Sequence, residues 1–207
     1  MRKLPILCAM MLFVVTIISC ESNADKVKNA VQGYLYKNMK NPESLKILSC
    51  EIRNDTVPFY LTDEILKLAG EYNDALNEYI RYKDMSYLWA SEKHESVLKV
   101  AKAREKFETA YQIAKDNSDA GVETFAYVKA SGTNPMGGTV SNSTIFIIDK
   151  DDPSEILGTF IVDKDFIVQF AVVKTIGEGY EFKTNKYGKY ETEGMTYFEQ
   201  FVMNDAE

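Results

Sequence analysis

The spacing of apolar positions changes character several times along the chain. From Leu4 to Ile18 fifteen residues carry no charge. Residues 24–40 then repeat apolar side chains at three-to-four spacing. Val27, Val31, Tyr34, Leu35 and Met39 form one stripe, with Lys26, Lys28, Gln32 and Lys37 outside it, which predicts an amphipathic helix. Pro42 ends it, because the residue before a proline is pushed out of helical geometry. Leu45–Arg53 alternates, and with Leu48, Cys50 and Ile52 on one face it reads as a strand.

Residues 62–117 contain no proline and a single glycine, Gly70, and are rich in Glu, Lys, Ala and Tyr. Ile65, Ala69, Tyr72, Leu76 and Tyr79 make one heptad-like seam. Val97, Val100, Arg104, Phe107, Tyr111 and Ala114 make another. Two antiparallel helices are expected, reversing within residues 82–93, where Asp84, Ser86 and Ser91 are available as caps.

From Gly121 the period shifts to two. Val122–Ala130, Val140–Asp149, Ile156–Val162 and Phe166–Thr175 read as four strands joined by short polar connections, the pattern of an antiparallel meander. Gly177, Gly179, Gly188 and Gly194 suggest a short hairpin, and Tyr197, Phe198, Phe201 and Val202 a closing helical turn. The chain therefore reads as α+β: one helix on an antiparallel sheet of about five strands, with 62–117 inserted as a helical hairpin after the first strand. That order is similar to cystatin-like and NTF2-like two-layer folds, and such a likeness carries no function by itself.

The uncharged stretch Leu4–Ile18 follows Arg2 and Lys3 and is too short for a comfortable span, which needs about 20 apolar residues. It reads as a signal peptide over 1–19, leaving a single domain over 20–207. Ile17-Ile18-Ser19-Cys20 resembles the lipobox of bacterial lipoproteins, with Ile17 where that family favours Leu. The resemblance implies cleavage before Cys20, lipidation of its sulfur and acylation of the new amino terminus. Several acyl chains on one residue suffice for stable anchoring, so membrane attachment through Cys20 is expected, most simply at the outer membrane. A second likeness, to cell-envelope lipoproteins of unknown activity, rests on the turn Asn41-Pro42-Glu43-Ser44 and on the strand–Gly-turn–strand unit "YVKASGTNPMGGTVSNSTIFIIDK", residues 127–150.

Losing Arg2 and Lys3 takes the net charge from −7 to −9, which argues against binding nucleic acid phosphates or anionic headgroups. Cys50 would be the one cysteine beyond Cys20, so no disulfide framework is expected and Cys50 reads as a small strand hydrophobe. The single histidine, His94, sits among Glu92, Lys93 and Glu95 as a surface residue. With only His94 and Cys50 as soft ligands, a zinc site is not expected. Asp149, Asp151, Asp152 and Glu155 share one loop without EF-hand spacing, so turn chemistry is favoured over calcium there. Asn134–Gly138 lacks the spacing of a phosphate loop.

Tyr82, Tyr87 and the only tryptophan, Trp89, gather where the hairpin turns and form a candidate interaction surface, against the alternative of a local cap packed on itself. No catalytic residue, metal or cofactor is expected. The reading is a membrane-anchored, non-enzymatic binding or scaffold module of the cell envelope. An inhibitor or immunity-type lipoprotein and a carboxylate-dependent envelope hydrolase are the alternatives.

Overall fold

The computed structural model describes residues 22–83, 85, 90–118, 121–134, 136–186 and 189–204. Leu4–Ile18 and Cys20 lie outside the described residues, as do Tyr87 and Trp89 at the expected hairpin turn.

Helix α1 (Asn23–Asn38) begins at Ser22, whose side chain accepts from the Asp25 N–H at 3.2 Å. It buries Val27 and Val31 and ends at Met39, whose backbone N–H donates to the Leu35 carbonyl. A 3-10 turn at Pro42–Ser44 leads into strand β1 (Lys46–Thr56). Helices α2 (Asp63–Lys83) and α3 (Ala90–Asp116) follow and pack on each other. Strands β2 (Val122–Thr133), β3 (Thr139–Ile148) and β4 (Ile156–Val162) complete an antiparallel sheet in the order β1-β2-β3-β4. Helix α4 (Lys164–Val172) runs into a π-helical turn at Val173–Gly177, and α5 (Tyr197–Asn204) is the last described helix.

Among the described residues the chain is thus α+β, with five α-helices and a four-stranded antiparallel sheet. The two faces of the sheet are covered differently. Ala126, Val128, Phe146 and Ile148 meet Val27 and Val31 of α1 on one side. Phe125, Tyr127, Ile145 and Ile147 meet α2, α3, α4 and α5 on the other, in the larger core. That double coverage explains the continuous apolar runs Phe125–Val128 and Ile145–Ile148, in which successive residues serve opposite faces.

Two expectations need correcting. Phe166–Thr175 is helical, so among the described residues the sheet has four strands. Asp163 caps α4 by accepting from the Phe166 N–H at 2.9 Å. Phe166, Phe170 and Val173, at helical spacing, all enter the core. The short hairpin expected in the glycine-rich tail is present in minimal form, as the antiparallel bridge Thr184–Tyr190 with the Asn185 N–H on the Lys189 carbonyl and the Glu191 N–H on the Lys183 carbonyl. Leu48 leaves the face of Cys50 and Ile52: a β-bulge between Ile47 and Ser49 turns it out to 60 % exposure.

The helical hairpin lies where the spacing places it, with one shift of register. Ser96 is buried where Val97 was expected, and Val97 is exposed. The Ser96 hydroxyl donates to the Lys93 carbonyl, so a small, satisfied residue sits in the seam. Arg104 faces outward and pairs with Glu108.

Candidate functional site: a cleft at the end of helix α1

Helix α1 covers only part of its face of the sheet. The helix stops at Asn38, but β2, β3 and β4 continue beyond it. In register, Ala130 pairs with Asn142, Gly132 with Val140, and Thr144 with Ile161. Alternation puts these residues on the face that carries Val128 and Phe146, as the floor of a cleft of about 510 Å³. Its wall is Tyr34, Leu35, Asn38, Met39, Lys40 and Asn41.

Two close contacts fix the wall to the floor. The Ser44 hydroxyl accepts from the Thr133 N–H at 2.8 Å and donates to the Asn41 carbonyl at 2.7 Å. The Met39 side chain lies so near β2 that a Cβ built on Gly132 would stand 2.2 Å from its Cε. A larger residue there would require the flexible Met39 tip to move aside. At the cleft's edge the loop after β2 is folded on Asn134, whose Oδ1 accepts from the Met136 and Gly138 N–H groups at 3.0 and 2.8 Å. Gly137 takes φ +83° there, and Met136 projects at 93 % exposure.

The lining is chemically uneven. Leu35, Met39, Ala130, Val140 and Ile161 are apolar, Tyr34 is aromatic, and amides and hydroxyls sit between them. Lys40 is the one charged residue among those lining it. Thr144 is 6 % exposed and makes no side-chain hydrogen bond among the described residues, yet its hydroxyl is not sealed from the cleft. Such an arrangement can bind and orient a small molecule. It presents no nucleophile–base pair.

The turn Asn41–Ser44 and the strand–turn–strand unit, conspicuous separately in the sequence, therefore meet at this cleft. Their periodicity gave no sign of the meeting. Tyr82 is half-buried near the end of α2, in a small recess with Glu78, Met85, Ser96 and Lys99. His94 is exposed on α3. Cys50 is half-buried, and that burial pushes its thiol up, against a smaller lowering by Lys28.

In the 149–155 loop the carboxylates are engaged in the turn. Asp149 Oδ1 accepts from the Asp151 and Asp152 N–H groups, and Asp152 Oδ1 from the N–H and hydroxyl of Ser154. Among the described residues no group of three or more His, Cys, Asp or Glu is placed to hold a metal ion.

A second charged cluster is more deeply set. Lys174, in the π-helical turn, contacts the carboxylates of Glu178 and Glu199, the latter at 2.6 Å, with its ammonium 5.5 Å from the Tyr180 ring centre. Burial works against the Lys174 charge. The hydrogen bonds and charges of the two glutamates outweigh it and raise the ammonium's pKa. Glu199 also accepts from the Thr196 N–H and returns its own N–H to the Thr196 hydroxyl, the reciprocal pattern of a capping box. Every charge here has a partner within the protein, so the cluster locks α5 to the π-helical turn and leaves nothing to offer a ligand.

Among the described residues no helix is long and apolar enough to cross a membrane. Compared with protein-family models, with curated proteins and with solved structures, the chain matches none.

Proposed function

We propose that this protein is a lipid-anchored, non-enzymatic binding module of the bacterial cell envelope, held through Cys20 and taking its ligand in the cleft at the end of α1. The observation that carries the reading is the cleft itself. Its volume of about 510 Å³ falls in the range of about 300–1,000 Å³ usual for small-molecule sites, and a mainly apolar lining with a few polar groups is their ordinary composition. The lipobox-like Ile17-Ile18-Ser19-Cys20 supports the anchor. The helix–strand–meander order supports a cystatin-like or NTF2-like relationship, with further helices added on the second face. An inhibitor acting through the 133–139 loop is the weaker reading, because that loop borders a cleft and does not stand alone.

Two measurements test this. Mass spectrometry of the membrane fraction should find acyl mass on a peptide beginning at Cys20; an unmodified product in the soluble fraction overturns the anchor. A photoreactive amino acid at Asn142, which lines the cleft, should crosslink an envelope component in intact cells. The same group at Lys102, exposed on α3, should not. Equal labelling at both positions overturns the cleft as the binding site.

A further inference from the structure

Three properties of the cleft narrow what it accepts. The first is charge. The chain carries 31 acidic against 24 basic residues, yet among the described residues no carboxylate lines the cleft and its one ionic group is the Lys40 ammonium. A single negative group on the ligand matches that, whereas a cationic ligand finds no partner. The second is the floor. Ala130, Val140 and Ile161 come from three neighbouring strands, which at ~4.8 Å between strands gives an apolar strip about 10 Å across. The third is the hydrogen-bonding inventory. Among the described residues Thr144 holds an unpartnered hydroxyl in the floor, and the side-chain amides of Asn41 and Asn142 line the same cleft. A bare hydrocarbon chain laid over that hydroxyl would leave it unpaired, which is costly in an apolar setting.

We propose that the cleft binds the free C-terminal end of a short apolar peptide, with its side chains on the sheet floor, a backbone amide at Thr144 and its carboxylate at Lys40. The inference rests on the reading of the cleft as the binding site. Peptide amides both donate and accept, so they satisfy a threonine hydroxyl and asparagine amides together. A carboxylate at Lys40 gains a charge-assisted hydrogen bond. The 133–139 loop stands beside the entrance, held by Asn134, so the cleft is bounded without any rearrangement of the sheet.

The test uses the mature protein and three probes: an acetylated tripeptide of leucine, valine and alanine with a free carboxylate, its C-terminal amide, and dodecanoate. Amide chemical shifts are followed by NMR. The acid peptide should perturb Ala130, Thr144 and Ile161 saturably. Its amide, which lacks the charge, should bind about two- to fivefold more weakly, and the acid peptide should bind Lys40→Glu at least that much more weakly. Val140→Asp puts a carboxylate into the apolar floor and should abolish binding. Val140 is 44 % exposed, so that variant is expected to keep the native spectrum elsewhere.

The proposal is overturned if the acid peptide leaves the three amides unmoved, if acid and amide bind equally, or if dodecanoate binds there and the peptide does not. The crosslink at Asn142 separates the two levels. A component captured there while the peptide fails removes the ligand class and leaves the binding site standing. Failure of both removes both.

Discussion

A Cβ built on Gly177 would lie 2.6–2.9 Å from three atoms of the Tyr111 ring. That ring is held in place by Phe59 and Phe107, at centroid distances of 5.0 and 5.8 Å, so it cannot swing aside cheaply. Gly177→Ala should lower stability by about 1–3 kcal/mol, the usual cost of overpacking a core. Denaturant unfolding measures it, and a midpoint unchanged from the native protein would contradict the contact. Helical spacing identifies Tyr111 as a core residue. Gly177 reads in the sequence only as part of a turn, because a close approach between residues 66 positions apart leaves no local pattern.

Helix α4 shows how an element can be misread. Phe166-Ile167-Val168-Gln169-Phe170-Ala171-Val172-Val173 is built from aromatic and β-branched residues that favour strands, and short apolar runs do not resolve a period of two from one of 3.6. The cap decides it. Asp163 satisfies the Phe166 N–H and starts a helix directly after β4. Asp163→Ala should cost about 1 kcal/mol, a fall in melting temperature of about 3 °C for a chain of this size, visible by circular dichroism. A melting temperature unchanged by the substitution would show that packing alone sets the helix. The hairpin was legible for the opposite reason. Its seams run over many turns, long enough for the period to be plain, and only the exchange of Ser96 for Val97 and the outward turn of Arg104 escaped it.

For the molecule as a whole, the buried phenols and Lys174 set the response to alkali. Burial, the largest cause in each case, raises Tyr60, Tyr111 and Tyr127, with Tyr111 pushed up to about 12. These phenols stay neutral in the fold, while in the unfolded chain they ionise from about pH 10. Unfolding then releases protons, and stability falls as pH rises. Lys174 acts in the same direction. Its folded pKa is raised, so its contribution is complete below its ordinary value near pH 10 and is lost as pH climbs through the folded one. Stability should therefore decline above about pH 10, with part of the tyrosinate absorbance appearing only on unfolding. A stability profile flat to about pH 12 would contradict it. None of this is visible in composition, since thirteen tyrosines do not say which are buried. The cleft was hidden for a similar reason: its two halves were each noticed, but their meeting depends on where α1 ends over a sheet built much later in the chain.

The hydrogen bond from the Thr133 N–H to Ser44 spans 89 positions and encloses the whole of β1, α2 and α3. A helical hairpin with local contacts forms within microseconds, and by doing so it shortens the loop that must close before Ser44 can reach β2. The cleft is therefore expected to form late in folding, after the inserted helices have drawn its walls together. The hairpin contributes no residue to the described lining, yet it is expected to set how quickly Ser44 and β2 meet.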